Sequence, residues 1–433
     1  YAFTFSIVCI LFLLWGLCNG MIDVLNKHFQ NSLGISKAQS AFVQAAWYGA
    51  YFLMAVPSGW IARKFGYKWG ILSGLFIVLA GSLLFVPITR ITGSTSVVFS
   101  FFLAALFVVA SGLTFLETIA NPYTTVLGPV SSGVARINLA QSLNAVGWIL
   151  GPVIGGSFIL SNTETINTSN DALYQPYLLV AEIVAVIITV FIFAPIPDLH
   201  AEQEAKAASD GKTHEKPLYR EMHFVLAILS QFLYVAAQTG IFSFFINYVR
   251  DYMPAVSTGF AGILPEGMTF IKDGSAYITE RGASMLLAAG GFGLFLVGRF
   301  TGSMILRRSS PHLTLGFYAL ANIVMMIIVI MVPGWISIIA LLLSFFFMSI
   351  MYPTNFALAI RGLGERTKLG SSFMVTAIAG GSVMPMFMGW IADNYSMRIG
   401  FFMPLACFIF VMFYGFRWKR FFSPDMESDI TRK

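Results

Sequence analysis

Charge is scarce in this chain. Its 433 residues include 26 Lys and Arg and 20 Asp and Glu, 11% in all, against about 25% in an ordinary soluble domain. A surface that poor in charge excludes a water-soluble globule. The net charge of +6 sits in short connections and not in a basic tract, so nucleic acid is not an expected partner. Cysteine is equally sparse: Cys9, Cys18 and Cys407 all fall in apolar segments, without the spacing of a disulfide or zinc framework, and read as small buried hydrophobes. The five histidines, His28, His200, His214, His223 and His312, fall at loops or helix ends with no nucleophile–base or metal spacing, so neither an enzyme nor a metal site is expected. No cleavable signal pattern precedes the first apolar run. What abounds is apolar: 57% hydrophobic residues, 42 of them Phe, the composition of a polytopic membrane protein with the lipid bilayer as its solvent.

Twelve apolar runs are expected to cross it, at about 4–29, 38–61, 69–87, 97–127, 136–160, 174–195, 222–249, 283–306, 312–332, 335–360, 369–392 and 397–418. All must be helices, because an open strand leaves its backbone unsatisfied in lipid. One charged connection, 196–221, separates six runs from six. The expected division is an N-terminal six-helix bundle at 1–195, a linker at 196–221, a C-terminal six-helix bundle at 222–420 and a tail at 421–433. Lys and Arg gather on the linker's side (Arg63, Lys64, Lys68, Arg136, Arg361 and the tail among them), which makes the linker and both termini cytoplasmic by the positive-inside rule.

The halves echo one another. NPYTTVLGPVSSGVARINLAQSLNAVGWILGPVIGG at 121–156 and YPTNFALAIRGLGERTKLGSSFMVTAIAGGSVMPMFMG at 352–389 each carry a proline near the end of one span, a short basic Gly-containing turn, and a second span with an internal Gly-Pro or Met-Pro. Paired six-span halves are how many secondary transporters are built, with the substrate site between the halves at mid-membrane.

Asp23 and Glu117 lie inside spans, where a carboxylate costs on the order of 3 kcal/mol to insert. They are the leading site candidates. Trp15, Asn19 and Asp23 recur every fourth residue and share a stripe on the first span; Glu117 and Asn121 do so on the fourth. Gln141 and Asn144 follow Asn138 at three-residue steps on the fifth. Gln44, Tyr48 and Tyr51 mark a face of the second span, Tyr234, Gln238 and Phe242 one of the seventh, and Tyr352 and Asn355 open the second repeat segment. Arg299 is the clear intramembrane cation, and one Arg cannot neutralise both acids. Amides and carboxylates that bond hydroxyls, beside aromatic faces that cover C–H groups, are what a sugar needs. The bland alternative is that Asn and Gln merely glue helices together, and that the aromatic stripes are core.

The segments NGMID at 19–23, FLETIANPYTTVLGPVSSG at 115–133, INLAQSLNAVG at 137–147, AAQTG at 236–240, GRFTGS at 298–303 and GSSFMVTAIAGG at 370–381 together resemble the fucose:proton symporter family of the major facilitator superfamily, over nearly the whole chain. The resemblance implies an all-α fold of twelve transmembrane helices in two pseudo-symmetric bundles, in a bacterial inner membrane and working as a monomer. It implies import of a small-molecule sugar, a hexose of the glucose, galactose or fucose type, by proton symport through alternating access. No cofactor is implied beyond the coupling ion, H+ or alternatively Na+; a non-transporting sugar sensor is the remaining alternative. By the same resemblance Asp23 couples the proton, Glu117 recognises the sugar, and Asn144 and Trp15 line the cavity.

Three departures stand out. Asn19-Gly20 replaces the Asn-Asn of the family's fucose symporter, and Phe242 replaces a Trp; Gly20 is expected to leave a gap on the first helix, and the two together to favour a D-hexose over L-fucose. GWIARKFGYK at 59–68 has Arg63 where the superfamily loop motif has an acid. The outward segment 250–282 has the length for either a lid or a partner site, and its mixture of Gly, Pro and balanced charges is only a weak signal of an ordered outer loop.

Overall fold

The structure, a computed structural model, describes residues 2–91, 93–127, 133–158, 174–196, 218–306, 309–361, 363 and 367–422. Most of the linker and the tail expected from sequence lie outside the described residues, as do the side chains of Asp23, Arg63 and Asn138. In the first half the helices are α1 (Ala2–Leu33), a short α2 (Lys37–Ser40), α3 (Phe42–Ile88), α4 (Thr95–Val126), α5 (Gly133–Phe158) and α6 (Tyr174–Phe193). The second half has α7 (Met222–Tyr252), α8 (Glu280–Leu306, with a π-helical turn over Leu287–Phe292), α9 (Pro311–Met331), and α10 (Trp335–Met348 continuing as Met351–Ile360). It closes with α11 (Thr367–Thr376, a 3-10 turn, then Gly380–Asn394) and α12 (Met397–Phe421).

Among the described residues twelve helical passes result, because α3 is two arms broken at Gly66, whose φ of 81° only glycine takes without strain. Among the described residues ten candidate spans meet the length and hydropathy of a membrane crossing. The first arm of α3 and α5 fall outside that set, and both carry polar candidates, Gln44 and Tyr48 on the one and Gln141 and Asn144 on the other. Large apolar side chains such as Phe52, Trp69, Phe193, Phe300, Phe317 and Trp390 stand exposed on the outer faces, which suits lipid and not water.

Close backbone approach sets the packing that matters for the site. Gly16 and Gly20 on α1 face Gly147 and Gly151 on α5. A Cβ added at Gly16 would lie 2.0 Å from the Asn144 carbonyl oxygen, one at Gly147 2.4 Å from that of Leu13, and one at Gly151 2.5 Å from the Gly20 backbone. Small residues are how helices meet in lipid, where no hydrophobic force drives them together. Gly20 therefore leaves no gap for a substrate: its own added Cβ would sit 2.7 Å from the Trp148 carbonyl oxygen, so the expected opening on the first helix is helix–helix contact instead. The second half repeats the device, a Cβ at Gly380 of α11 falling 2.0 Å from the Phe232 carbonyl oxygen of α7.

The halves meet chiefly at the end remote from the linker. Lys27 pairs with Glu280 at 3.2 Å and Lys37 with Asp251 at 3.7 Å. Asn31 donates to Glu280 at 2.5 Å, Asn247 to Gln30 at 2.8 Å, and Asn26 to the Ser243 carbonyl at 3.2 Å. Asp393, in the last turn of α11, accepts the Lys37 and Ala38 backbone N–H groups at 3.1 and 2.8 Å and so caps α2 from the opposite half. Between α7 and α8 the expected outer segment is an ordered hairpin of β1 (Thr269–Lys272) and β2 (Ser275–Ile278), register Thr269 to Ile278 and Lys272 to Ser275. It turns through Asp273 and Gly274 at φ of 50° and 74°, the left-handed pair a two-residue hairpin requires. Arg250 pins it, donating to the Ile278 carbonyl and lying over the Phe270 ring at 5.4 Å.

Candidate functional site

Mid-helix polar side chains from α1, α3, α4 and α5 converge between the halves. Glu117 on α4 is 3% exposed. The Tyr51 hydroxyl of α3 lies beside both the Glu117 carboxyl and the Asn19 amide without closing a hydrogen bond of ordinary geometry to either. Among the described residues neither ion pair involves Glu117 or Arg299; both belong to the rim remote from the linker. Gln141 on α5 donates to the side-chain amide oxygen of Asn121 on α4 at 3.2 Å, and both remain half-buried. Asn144 donates to the Phe12 carbonyl on α1 at 3.2 Å.

Asn19 works as a brace. Its amide donates to the Trp15 carbonyl at 3.0 Å and its oxygen accepts the Trp47 indole N–H at 2.9 Å, tying α1 to α3 through a fully buried Trp47. Trp15, 8% exposed, packs on Phe12 with ring centroids 5.5 Å apart. Gln44 is buried on the first arm of α3 and Tyr48 half-buried; the Tyr48 ring lies against Gly381 of α11, within 2.8 Å of where a Cβ there would stand.

The second half contributes one cation and a wall of rings. Arg299 on α8 donates across the interface to the Gln141 carbonyl at 3.1 Å, and its guanidinium lies 4.8 Å from the Phe295 ring centre. Tyr352 on α10 interacts electrostatically with Glu117, Arg299 and Tyr234, so these groups from both halves share one field. Tyr234 itself donates to the Met348 carbonyl at 2.8 Å. Asn355 accepts from Ser230 at 3.1 Å and is wholly buried inside its own half, and Gln238 is half-buried on α7. Phe242 is 3% exposed and stacks on Phe345 at 4.6 Å, with Phe292 edge-on at 5.0 Å. Trp148 of α5 closes the group, 5.5 Å from Phe242 and 5.1 Å from Phe292.

The structure thus brings Glu117, Tyr51, Gln141, Asn121, Tyr48 and Tyr352 towards one interface, with Asn19, Trp15 and Asn355 engaged in helix packing behind it. Asp23 lies on α1 one turn beyond Asn19; nothing more is described of its side chain. Sequence reasoning missed Trp47, Trp148, Phe292 and Phe345. For Trp148 a signal was present: it follows Gln141 at i+7 and Asn144 at i+4, continuing their stripe.

A two-bundle helical fold with its polar centre at the interface is the architecture of one transporter class, and the sequence profile described as Major Facilitator Superfamily matches residues 8–378. The chain belongs to that superfamily, in the branch of its fucose-proton symporters. It is 35% identical to the L-fucose-proton symporter of Escherichia coli K12, covering 96% of this chain and 93% of that one. It is 34% identical to a glucose/galactose transporter of Brucella abortus, covering 96% and 94%. The crystal structure of the major facilitator transporter FucP in its outward conformation superposes with a TM-score of 0.68 at 33% identity, over 96% of this chain and 98% of that one. Members of this superfamily are transporters and not enzymes, and this chain is a multi-pass membrane protein with the major facilitator fold.

Proposed function

We propose that this superfamily member imports a hexose together with a proton, as a monomer in a bacterial inner membrane, with its linker and termini in the cytoplasm. One observation carries the reading: Glu117, Gln141 and Asn121 of one half face Arg299, Tyr352 and an aromatic wall of the other across a single interface. Carboxylate, amides and guanidinium suit hydroxyls, and the rings suit a C–H face. The names of two relatives, a fucose-proton symporter and a glucose/galactose transporter, support the substrate class.

Asp23, one turn of α1 beyond Asn19, is the proton-coupling group in this reading, with Na+ the alternative ion. Glu117, Asn144, Gln141 and Asn121 bind the sugar, with Gln44, Tyr48, Gln238, Phe242 and Tyr352 around them. With the linker cytoplasmic, the bonded rim at Lys27, Lys37, Asp251, Glu280 and Asp393 is the outer one. The structure is then the outward-closed member of a rocking pair, opposite to the FucP conformation.

Counterflow of labelled hexoses in proteoliposomes, at several pH values with and without sodium, tests it. The expected result is exchange of at least one of glucose, galactose and fucose, and accumulation driven by a proton gradient without sodium. Sodium-dependent affinity at fixed pH would put sodium in the proton's place. Binding without exchange would make the protein a sensor.

A further inference from the structure

We infer that Trp148 is the specificity-determining residue of this hexose site, presenting its indole face to the apolar C–H face of the sugar ring; the inference rests on the sugar reading above. Four rings meet here, and three are spent on one another. Phe242, Phe292 and Phe345 are 3%, 1% and 0% exposed, and the parallel Phe242–Phe345 stack, at 13° between planes, closes both inner faces. Trp148 alone of the four is only half-buried. It meets Phe242 and Phe292 at 69° and 52° between planes, so neither ring lies parallel over the indole, and the ring keeps exposed surface. Steeply inclined contacts of this kind orient a ring while covering less of its π-surface than a parallel stack does.

Position on α5 makes the face useful. Gly147, the residue before, is locked against α1 by the Leu13 carbonyl, which turns the neighbouring Trp148 towards the opposite half. Trp148 stands one turn beyond Asn144 and two beyond Gln141, about 6 and 10 Å of rise along one stripe. A pyranose bonded through its hydroxyls at Gln141 would reach the indole with its ring. The residue also belongs to one half while its supporting rings belong to the other, so its platform is complete only when the halves close at the outer end, as they are in this structure. Phe242, buried behind it, is a support for the platform and not the platform itself.

The test is hexose binding by calorimetry and intrinsic fluorescence on the purified full-length protein, its Trp148→Ala variant and its Trp148→Phe variant. Trp148→Ala is expected to weaken binding of the preferred hexose about tenfold. Trp148→Phe keeps the packing with a smaller face and is expected to weaken it about threefold. Saturating hexose should change the tryptophan emission of the wild type, and most of that change should vanish in Trp148→Phe at equal saturation, which a merely structural role for the ring would not produce. If the wild type binds hexose and both variants bind it equally well, or if the emission change persists in Trp148→Phe, the inference fails and the transport reading stands. If the wild type binds none of glucose, galactose and fucose, both fall together. Should Trp148→Ala not fold, the affinity and emission of Trp148→Phe decide alone.

Discussion

Removing Asp393 should loosen the closure at the end remote from the linker by a calculable amount. Its two carboxylate oxygens accept the first free N–H groups of α2 at 3.1 and 2.8 Å, a helix cap supplied by the other half. Replacing a capping residue by Ala costs about 1 kcal/mol in typical cases. Solvent exposure of Asp393 holds the figure there and below the roughly 1.5–3 kcal/mol of a buried bond to a charged group. Because the bonds exist only when the halves touch, the whole loss falls on the closed state, and about 1 kcal/mol moves the closed-to-open ratio about fivefold. Glu280→Ala removes a separate pair of contacts, to Lys27 at 3.2 Å and Asn31 at 2.5 Å, and should act independently. The double variant is then expected to shift the ratio by about 25-fold, the product of two such steps. Pulsed electron spin resonance between labels at the exposed rim positions Ser94 and Lys272 reads the two populations directly, and the native cysteines are buried and will label poorly. A distance distribution unchanged in both the single and the double variant would refute the latch.

Asp23→Asn is expected to abolish proton-driven accumulation while leaving exchange counterflow measurable, since a permanently neutral side chain imitates the loaded carrier; continued uphill uptake would move the coupling site elsewhere. Glu117→Gln should weaken hexose binding at least about tenfold in calorimetry, from a charged hydrogen bond worth roughly 1.5–3 kcal/mol, and unchanged affinity would leave Glu117 a helix-packing residue. Gly20→Asn should lower the thermal midpoint, overpacking the α1–α5 seam at about 1–3 kcal/mol; a stable variant with altered sugar preference would show that the side chain reaches the cavity after all.

Much of the fold was legible because bilayer physics leaves so few solutions: apolar runs of sufficient length become helices, and each of the twelve expected runs overlaps a helical pass. Faces were harder. Trp15 and Asn19 share a helix as their spacing requires, yet Asn19 spends its amide on Trp15 and Trp47, because spacing along one helix says nothing of what the neighbouring helix brings. Gly20 looked like space and is contact, since glycine marks both a gap and a close approach, and which one depends on a partner 128 residues away in sequence, Trp148. The hairpin at 269–278 was signalled by Asp273-Gly274 between short alternating runs, a cue that the surrounding hydropathy obscured.

The glycine seam carries one mechanical consequence. Helices whose backbones touch at four points along their length cannot slide or rotate against each other without collision, so α1 and α5 travel as a single plate. The separation between the Asp23 backbone and that of Asn144 is then constant through the transport cycle. On the proposed assignment of the ion to Asp23 and the sugar to Asn144, the two cannot signal to one another by changing that distance and must do so through what the opposite half brings up to the plate. A label pair on these two helices should hold one distance in every state, a fixed baseline against which the displacement of the other helices can be measured.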